Sequence, residues 1–226
     1  MAAASEMYQR AAWTIAFALV LYYINHQEYP GPTVTLVAVI VLIGLGFAGA
    51  GYGISWLAGP GRTRVLEQVL DSLELQGSER ILDAGSADGQ LGLAAARRLK
   101  SGKVIALGDT ATNEVLREAA KNEGLGDRIR FESGDWKKLA YTDGSFECVI
   151  GSQVLARLDT DVQRTQAIQE MLRVLKPGGH LALHEVSDFG FVIQTLERAS
   201  ASSPRVVSTS LPLGLGGRVI TARKPA

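Results

Sequence analysis

Apolar and polar positions divide the chain into an apolar N-terminal stretch and a longer part in which short apolar runs alternate with amphipathic segments. Residues 33–58 contain no Asp, Glu, Lys, Arg or His. As a helix they would extend about 39 Å, which exceeds a hydrocarbon core of about 30 Å. Because a core helix of this length in a water-soluble protein would carry a polar stripe, the pattern predicts a membrane-spanning helix.

A shorter apolar run at residues 11–24 precedes this stretch. Together the two runs predict a hairpin of transmembrane helices, at about 8–26 and 33–58, with a turn at 25–32 where two prolines and a glycine disfavour helix. The arginines nearest the hairpin all lie outside the turn: Arg10, Arg62 and Arg64. The positive-inside rule then predicts an integral membrane protein whose C-terminal domain faces the cytosol.

Small residues recur at intervals of four within 33–58. The pairs are Gly44 with Ala48, Gly46 with Ala50, and Gly49 with Gly53. Such pairs let a second helix approach closely, and that helix could be the first run of the same chain or belong to another copy. The predicted partners of this region are therefore a lipid bilayer and, through these faces, a homodimer.

Residues 59–226 begin with a Gly-Pro-Gly break and then alternate between β-type runs and amphipathic helical stretches. The predicted strands are 80–82, 103–107, 128–132, 147–152, 180–186, 205–210 and 218–222. The predicted helices are 65–73, 91–99, 113–122, 161–175 and 192–198. This alternation predicts an α/β fold, with a Rossmann-like, doubly wound and mostly parallel seven-stranded sheet in a domain of residues 59–226, after an N-terminal transmembrane hairpin of residues 1–58.

Composition excludes several classes of function. Lys plus Arg and Asp plus Glu both total 23, and no basic stripe with interleaved aromatic residues occurs, so a nucleic-acid partner is not expected. The single cysteine, Cys148, excludes an intrachain disulfide. The three histidines and this cysteine lack the spacing of metal ligands, so no metal site is predicted.

The segment 81–91 carries the first candidate chemistry. A buried strand leads into a glycine-bearing turn and then a helix, which aims backbone N–H groups at a ligand. The spacing from Asp83 to Gly89 is D-x-G-x-x-x-G, whereas dinucleotide folds use G-x-G-x-x-G. An acid at the strand end would repel a pyrophosphate but can receive an ammonium group, so a nucleotide-dependent reductase is disfavoured. A plain tight turn would give the same letters.

Four further segments occur in the order and spacing of class I S-adenosylmethionine-dependent methyltransferases. They are 104–109 (VIALGD), 131–136 (FESGDW), 143–150 (DGSFECVI) and 170–179 (EMLRVLKPGG). With the loop at 83–89, the chain resembles this family, of the type 11 or UbiE-like kind, over residues 61–225. In particular it is similar to membrane-anchored bacterial and fungal members with two N-terminal hydrophobic helices and a final strand like TARKP at 221–225.

The resemblance implies S-adenosylmethionine as the cofactor. The residues that it assigns to cofactor binding are Asp83, Ala84, Gly85, Ser86, Gly89, Asp109, Asp135, Trp136 and Ser152. Asp83 and the backbone of residues 84–86 would hold the amino acid end of the cofactor, and Gly89 would let the helix start close to it. Asp109 would accept hydrogen bonds from the ribose hydroxyls, Asp135 would take the adenine amino group, and Trp136 would cover the adenine face.

The resemblance also places Ser152 and Gln153 at the methyl-transfer site, at the end of the fourth strand. If the acceptor is a hydroxyl, a general base is needed to remove its proton. His184 and Glu185 near the end of the fifth strand are candidates for this base, with Arg157 as an anion clamp. The chain is thus predicted to be a membrane-tethered methyltransferase for a small or lipophilic acceptor, because the tether favours molecules that partition into lipid.

Two positions depart from the family pattern. The family usually has glycine where Ala87 stands and an acid where Gly108 stands, so that Asp109 is displaced by one residue. A shift of one residue points a side chain to the other face of a strand unless a bulge restores it. These departures keep open an alternative, in which the chain is a catalytically degenerate member that serves as a binding or scaffold protein at the membrane.

Overall fold

The computed structural model describes residues 2–25, 30–56, 62–86, 89–199, 201–208 and 217–226. The chain divides into two compact units, residues 1–63 and 64–226. The first unit contains two α-helices that pack against each other, α1 (Ala2–Asn25) and α2 (Pro30–Trp56). The predicted helical hairpin therefore forms, although α2 begins three residues earlier than the pattern predicted. Pro30 and Pro32 are tolerated there because the N–H groups of a helix's first turn have no partners within the helix.

The two helices approach each other closely at Gly44. A Cβ atom built on Gly44 would lie 2.8 Å from Ile15 Cγ1, whereas one on Gly46, Gly49 or Gly53 would meet no atom within 4 Å. The contact with α1 therefore explains the small residue at position 44. The predicted homodimer through the remaining glycines is not tested by these contacts and stays a prediction.

The predicted membrane crossing is wrong. Among the described residues, no helix combines the length and the apolarity that a bilayer crossing requires. The sequence argument relied on the absence of charge, but a span also needs apolar side-chain surface. Residues 44–53 of α2 include five glycines and two alanines, which supply little of it, and α1 carries an ion pair between Glu6 and Arg10. The predicted localisation, as an integral membrane protein with a cytosolic domain, is therefore wrong as well.

Helices and strands alternate through the rest of the described chain. The helices are α3 (Arg62–Asp71), α4 (Gln90–Arg98), α5 (Thr110–Asn122), α6 (Asp161–Val174) and α7 (Phe189–Arg198), with a 3₁₀ turn at Leu155–Arg157. The strands are β1 (Arg80–Asp83), β2 (Lys103–Leu107), β3 (Ile129–Glu132), β4 (Phe146–Ser152), β5 (Leu175–Glu185), β6 (Ser202–Ser208) and β7 (Arg218–Arg223).

All seven of these strands form one sheet in the order β3-β2-β1-β4-β5-β7-β6. Strands β1 to β5 pair in parallel, and β7 is antiparallel to both β5 and β6. The predicted Rossmann-like, mostly parallel seven-stranded sheet is confirmed. In such a sheet the carboxyl ends of the parallel strands meet at one edge, and ligands bind outside that edge.

Side-chain alternation along the strands buries both faces of the sheet. Ile81 packs in a core cluster with residues of α3, α4 and α5, whereas its neighbour Leu82 packs in a second cluster with residues of α6 and α7. Both side chains are fully buried. Strands covered on both faces give continuous apolar runs, which is why the pattern located β1, β2 and β4 well.

Strand β5 differs from its prediction at its start. Residues 176–179, Lys-Pro-Gly-Gly, were expected to close the preceding helix, but β5 already begins at Leu175. The pairing with β4 shifts register between Phe146 and Cys148 to accommodate the extra residues. Gly178 N donates to Lys224 O at 3.0 Å, so hydrogen bonds to the chain's C-terminal end extend the strand where a stop signal was expected.

Candidate functional site

Asp83, the last residue of β1, organises the loop that follows it. Its side chain is fully buried. One carboxylate oxygen accepts hydrogen bonds from Gly85 N and Ser86 N, each at 3.1 Å, and the other accepts from Ser86 Oγ at 3.0 Å. Burial raises the pKa of Asp83 to about 6, and these hydrogen bonds oppose the rise. Asp83 therefore fixes the shape of the loop that follows β1.

Glycine is required twice in this loop. Gly85 has φ of +111° and Gly89, the N-cap of α4, has φ of +64°, a region that side-chain-bearing residues rarely adopt. A Cβ atom on Gly85 would also lie 2.9 Å from Trp136 Nε1. The predicted departure at position 87 lies outside the described residues.

A cavity of about 270 Å³ opens beside the loop at the carboxyl edge of β1 and β2. Four of the residues predicted to bind the cofactor line it: Ser86, Gly89, Asp109 and Trp136. Arg157, predicted as an anion clamp, lines it as well. Ala84 is buried below the loop, and neither Asp135 nor Ser152 is part of the lining.

Asp109 reaches the cavity although it stands one residue beyond the expected position. It is the N-cap of α5, and its carboxylate accepts hydrogen bonds from Thr112 N and Thr112 Oγ1, both at 2.8 Å. These hydrogen bonds lower the pKa of Asp109 below its usual value. An ionised carboxylate, anchored by a helix terminus, therefore faces the cavity.

Asn113 is a cavity-lining residue that the sequence analysis missed. Its side chain is 2% exposed, and Nδ2 donates to Gly108 O at 3.3 Å and Glu132 O at 3.2 Å, which leaves Oδ1 as the acceptor end. A Cβ atom on Gly108 would lie 2.7 Å from Asn113 Oδ1. The amide therefore occupies the space that the usual acid at position 108 would need. The sequence does contain a signal for this contact, namely a glycine at the end of a strand followed by an amide side chain in the first turn of the next helix.

Trp136 and Arg157 form the outer wall of the cavity. The Arg157 guanidinium lies 5.6 Å from the centre of the Trp136 ring, a cation–π contact. Trp136 Nε1 is buried and has no hydrogen-bond partner among the described residues. Leaving a buried donor unpaired costs about 1–3 kcal/mol, so a ligand with an acceptor at this point is expected. Asp135 instead holds its own turn, because it accepts from Lys137 N at 2.9 Å.

The ends of β4 and β5 place the other predicted residues below the surface. Ser152 Oγ and His184 Nδ1 are hydrogen-bonded at 3.0 Å, and Glu185 accepts from Leu155 N at 3.1 Å. Ser152, His184 and Glu185 are each at most 5% exposed. Of the three predicted catalytic candidates, only Arg157 lines the cavity.

The burial of Glu185 predicts that the stability of the protein depends on pH. Burial raises the pKa of Glu185 from 4.5 to about 7, so the folded state holds a proton that the unfolded chain releases. The stability that this proton provides is complete below about pH 4.5 and is lost as the pH rises through about 7. We expect Glu185→Gln to remove this loss, which is on the order of 3 kcal/mol.

Urea unfolding of wild type and Glu185→Gln at pH 5 and pH 8 measures the effect. The variant should gain stability relative to wild type between the two pH values, because glutamine keeps the acceptor for Leu155 N but has no proton to lose. Glu118→Gln, at an exposed position of α5, is the matched control. An equal difference at both pH values would show that Glu185 does not titrate as described.

The methyltransferase domain model matches residues 75–211, more than half of the chain. The chain therefore belongs to the class I S-adenosylmethionine-dependent methyltransferase domain family. This confirms the family-level resemblance, whereas its narrower form, a membrane-anchored member with two hydrophobic helices, is not supported.

Individual relatives agree with the family, and a solved structure shares the fold. Methyltransferase GfsG of Streptomyces halstedii is 32% identical over 125 residues, which cover 54% of this chain and 43% of that protein. The ubiquinone/menaquinone biosynthesis C-methyltransferase UbiE of Pectobacterium atrosepticum is 32% identical over 112 residues, 49% of this chain and 43% of that protein. The chain thus spans under half the length of these relatives. The crystal structure of the [4+2]-cyclase SpnF matches with a TM-score of 0.61 and 24% identity, over 72% of this chain and 80% of that one.

The cofactor of this family is S-adenosylmethionine, and the described site offers groups that suit it. Solved structures with this fold include a complex with that molecule. Asp109 and the Oδ1 atom of Asn113 offer acceptors for hydroxyl hydrogens. Trp136 offers an aromatic face and an N–H that has no partner among the described residues, and the loop held by Asp83 reaches the cavity at Ser86 and Gly89.

Proposed function

We propose that the chain transfers a methyl group from S-adenosylmethionine to a small or lipophilic acceptor. The observation that carries this proposal is the cavity beside the Asp83 loop, where an anchored carboxylate, a buried amide and an unpaired indole N–H converge. The cofactor supplies an electrophilic methyl group on a sulfonium. The protein's contribution is then largely positional, because an in-line displacement is accelerated by holding the two reactants together.

The residues of this chain divide the work of positioning. Asp83 sets the loop that contacts the cofactor, and Asp109 with Asn113 would take its hydroxyl groups. Trp136 would cover one face of the ligand, and its N–H would donate to an acceptor atom that replaces the missing partner. Ser152 and His184 lie behind this surface, where the hydrogen bond between Ser152 Oγ and His184 Nδ1 joins the ends of β4 and β5.

The acceptor class is inferred from Arg157 and from one relative. Arg157 lies at the wall of the cofactor cavity and has no acidic partner among the described residues. UbiE is named for ubiquinone and menaquinone biosynthesis, which supports an aromatic, lipophilic acceptor for the present chain. Arg157 would stabilise the oxygen anion of a phenol or quinol.

A radiolabel assay tests this proposal. The purified full chain is incubated with methyl-labelled S-adenosylmethionine and a panel of lipophilic phenols and quinols, with polar hydroxy acids for comparison. We expect label in the organic phase together with an equal amount of S-adenosylhomocysteine. Gly108→Ala should lower the rate about tenfold or more, because its Cβ would displace Asn113, whereas Gly126→Ala, which meets no atom within 4 Å, should not.

A second candidate function is a binding protein that does not transfer methyl groups. It is favoured by the position of Trp136, whose ring atoms lie about 3 Å from where a Cβ atom on Gly85 would stand, so that the indole covers the loop. SpnF, whose structure matches this chain, is a [4+2]-cyclase, so this fold also serves reactions other than methyl transfer. Binding of S-adenosylhomocysteine without label transfer to any acceptor in a lipid extract would favour this candidate and contradict the first.

A further inference from the structure

A second cavity, of about 420 Å³, lies away from the carboxyl ends of the parallel strands. It is formed by the turn after α3 and by strands β5, β6 and β7. It shares no described lining residue with the cofactor cavity, and His180, which lines it, stands five residues, or roughly 17 Å at about 3.3 Å per residue, before the end of β5 at Glu185. The cavity is therefore separate from the cofactor site, and its volume is in the range of about 300–1,000 Å³ that small-molecule sites occupy.

Two arginines and a histidine face this cavity from neighbouring strands. His180 pairs with Arg223 across β5 and β7, and Arg205 pairs with Thr221 across β6 and β7. Because Thr221 and Arg223 are two residues apart on β7, all four side chains share one face, and the two arginines are diagonal neighbours whose Cα atoms should lie about 7–8 Å apart. Within the described part of the chain, neither guanidinium forms an ion pair with a carboxylate.

Hydroxyl groups and one acid complete the lining. Ser203 and Thr221 add hydroxyl donors, whereas Ser72 Oγ already donates to Val69 O at 2.6 Å. Glu74 is the one carboxylate among the described lining residues. The lining therefore carries a net positive charge even with His180 neutral. Burial is the main cause that lowers the pKa of His180, and the adjacent Arg223 lowers it further. An anion bound between the arginines would oppose the contribution of Arg223 to the pKa of His180.

The backbone around this cavity adopts unfavourable conformations. Glu74 and Ser203 have φ of +50° and +52°, and both line the cavity. The pairing of β6 with β7 also shifts register between Ser202 and Arg205, so that Ser203 and Pro204 oppose a single residue of β7. Bulges of this kind re-aim side chains, and positive φ at residues other than glycine is concentrated at functional sites.

We propose that this cavity binds the phosphate group of a small phosphorylated metabolite. Arg205 and Arg223 would grip the phosphate oxygens with their planar guanidinium groups, which match phosphate geometry. His180 and the hydroxyls of Ser203 and Thr221 would donate further hydrogen bonds. Glu74, at the rim, would accept from a hydroxyl of the ligand and disfavour more highly charged anions.

Calorimetric titration of the full chain tests this proposal. The probes are inorganic phosphate, glycerol 1-phosphate, uncharged glycerol and vesicles containing phosphatidic acid. Saturable binding is expected for both soluble phosphates but not for glycerol or the vesicles. Arg205→Gln and Arg223→Gln should each weaken binding about tenfold or more. Arg130→Gln, which removes an exposed charge on β3 at the far edge of the sheet, is the matched control and should bind as wild type does.

One variant should bind glycerol 1-phosphate more tightly than wild type does, and loss of folding could not produce such a gain. Glu74→Gln removes the carboxylate but keeps an acceptor, so we expect several-fold tighter binding of glycerol 1-phosphate. Absence of saturable binding by either soluble phosphate would overturn the proposal. It would also be overturned by equal weakening in Arg130→Gln, or by binding of the phosphatidic acid vesicles alone. Binding of S-adenosylhomocysteine should be unchanged in all of these variants, which separates this outcome from that of the proposed methyl transfer.

Discussion

Asp83→Ala should strongly weaken the binding of S-adenosylhomocysteine and destabilise the protein. The substitution removes the acceptor for Gly85 N, Ser86 N and Ser86 Oγ, all of them in a buried loop. Each donor left unsatisfied costs about 1–3 kcal/mol. We expect the free energy of unfolding to fall by roughly 3 kcal/mol, and the affinity to fall about 100-fold or more because the loop loses its shape. Calorimetry and urea unfolding measure the two effects.

Asp83→Asn separates the geometry of the loop from the charge of the carboxylate. Asparagine keeps one acceptor oxygen in nearly the same place, so it should retain part of the stability and bind S-adenosylhomocysteine more tightly than the alanine variant. Because burial already raises the pKa of Asp83 to about 6, loss of charge alone should cost little. Wild-type affinity in Asp83→Ala would show that the segment is only a tight turn.

Gly89→Ala should have the second largest effect on cofactor affinity and on the free energy of unfolding. The residue has φ of +64°, and a Cβ atom there would overlap Leu116 Cδ1, whose side chain is buried. The left-handed conformation costs about 1–2 kcal/mol, and overpacking adds about 1–3 kcal/mol. Since Gly89 also lines the cavity at the start of α4, we expect loss of cofactor affinity together with a free energy of unfolding lower by roughly 3 kcal/mol.

Gly124→Ala is the matched control for Gly89→Ala. Gly124 has a nearly equal φ of +68°, but a Cβ atom there would meet no atom within 4 Å. It should therefore lose only the conformational part, about 1–2 kcal/mol, and keep full affinity for S-adenosylhomocysteine. Equal losses of stability and affinity in the two variants would refute the clash with Leu116 as the cause.

The fold could be predicted from the sequence because its central strands are buried on both faces. Continuous apolar runs such as 104–107 can satisfy only a covered sheet, and amphipathic segments between them supply the covering helices. The start of β5 could not be predicted in this way. Lys176 to Gly179 carry strong local stop signals, and the hydrogen bonds to Lys224 that override them come from a residue distant in sequence.

The candidate site was only partly predictable for the same reason. The loop from Asp83 to Gly89 is contiguous in sequence, so its residues could be named before its geometry was known. Asn113 owes its place to Gly108, five residues earlier, and only the two positions read together indicate that contact, because neither one predicts it alone. The burial of His184 and Glu185 depends on packing between elements, which the sequence does not display.

For α1 and α2, the sequence pattern predicted more than the structure supports. Its two helices were predicted from the absence of charge, and both form. The same absence was also taken as evidence of membrane crossing, which requires a separate property, enough apolar side-chain surface over a sufficient length. Glycine and alanine satisfy the first criterion without contributing much to the second.

Calorimetric titration of the full chain with S-adenosylhomocysteine tests the central claim most directly, namely that the cavity beside the Asp83 loop binds the cofactor. We predict saturable one-to-one binding in wild type, accompanied by a change in tryptophan fluorescence that is lost in Trp136→Phe. Binding should be strongly weakened in Asp83→Ala and unchanged in Gly124→Ala. Absence of both heat and thermal shift in wild type at millimolar S-adenosylhomocysteine would contradict the account.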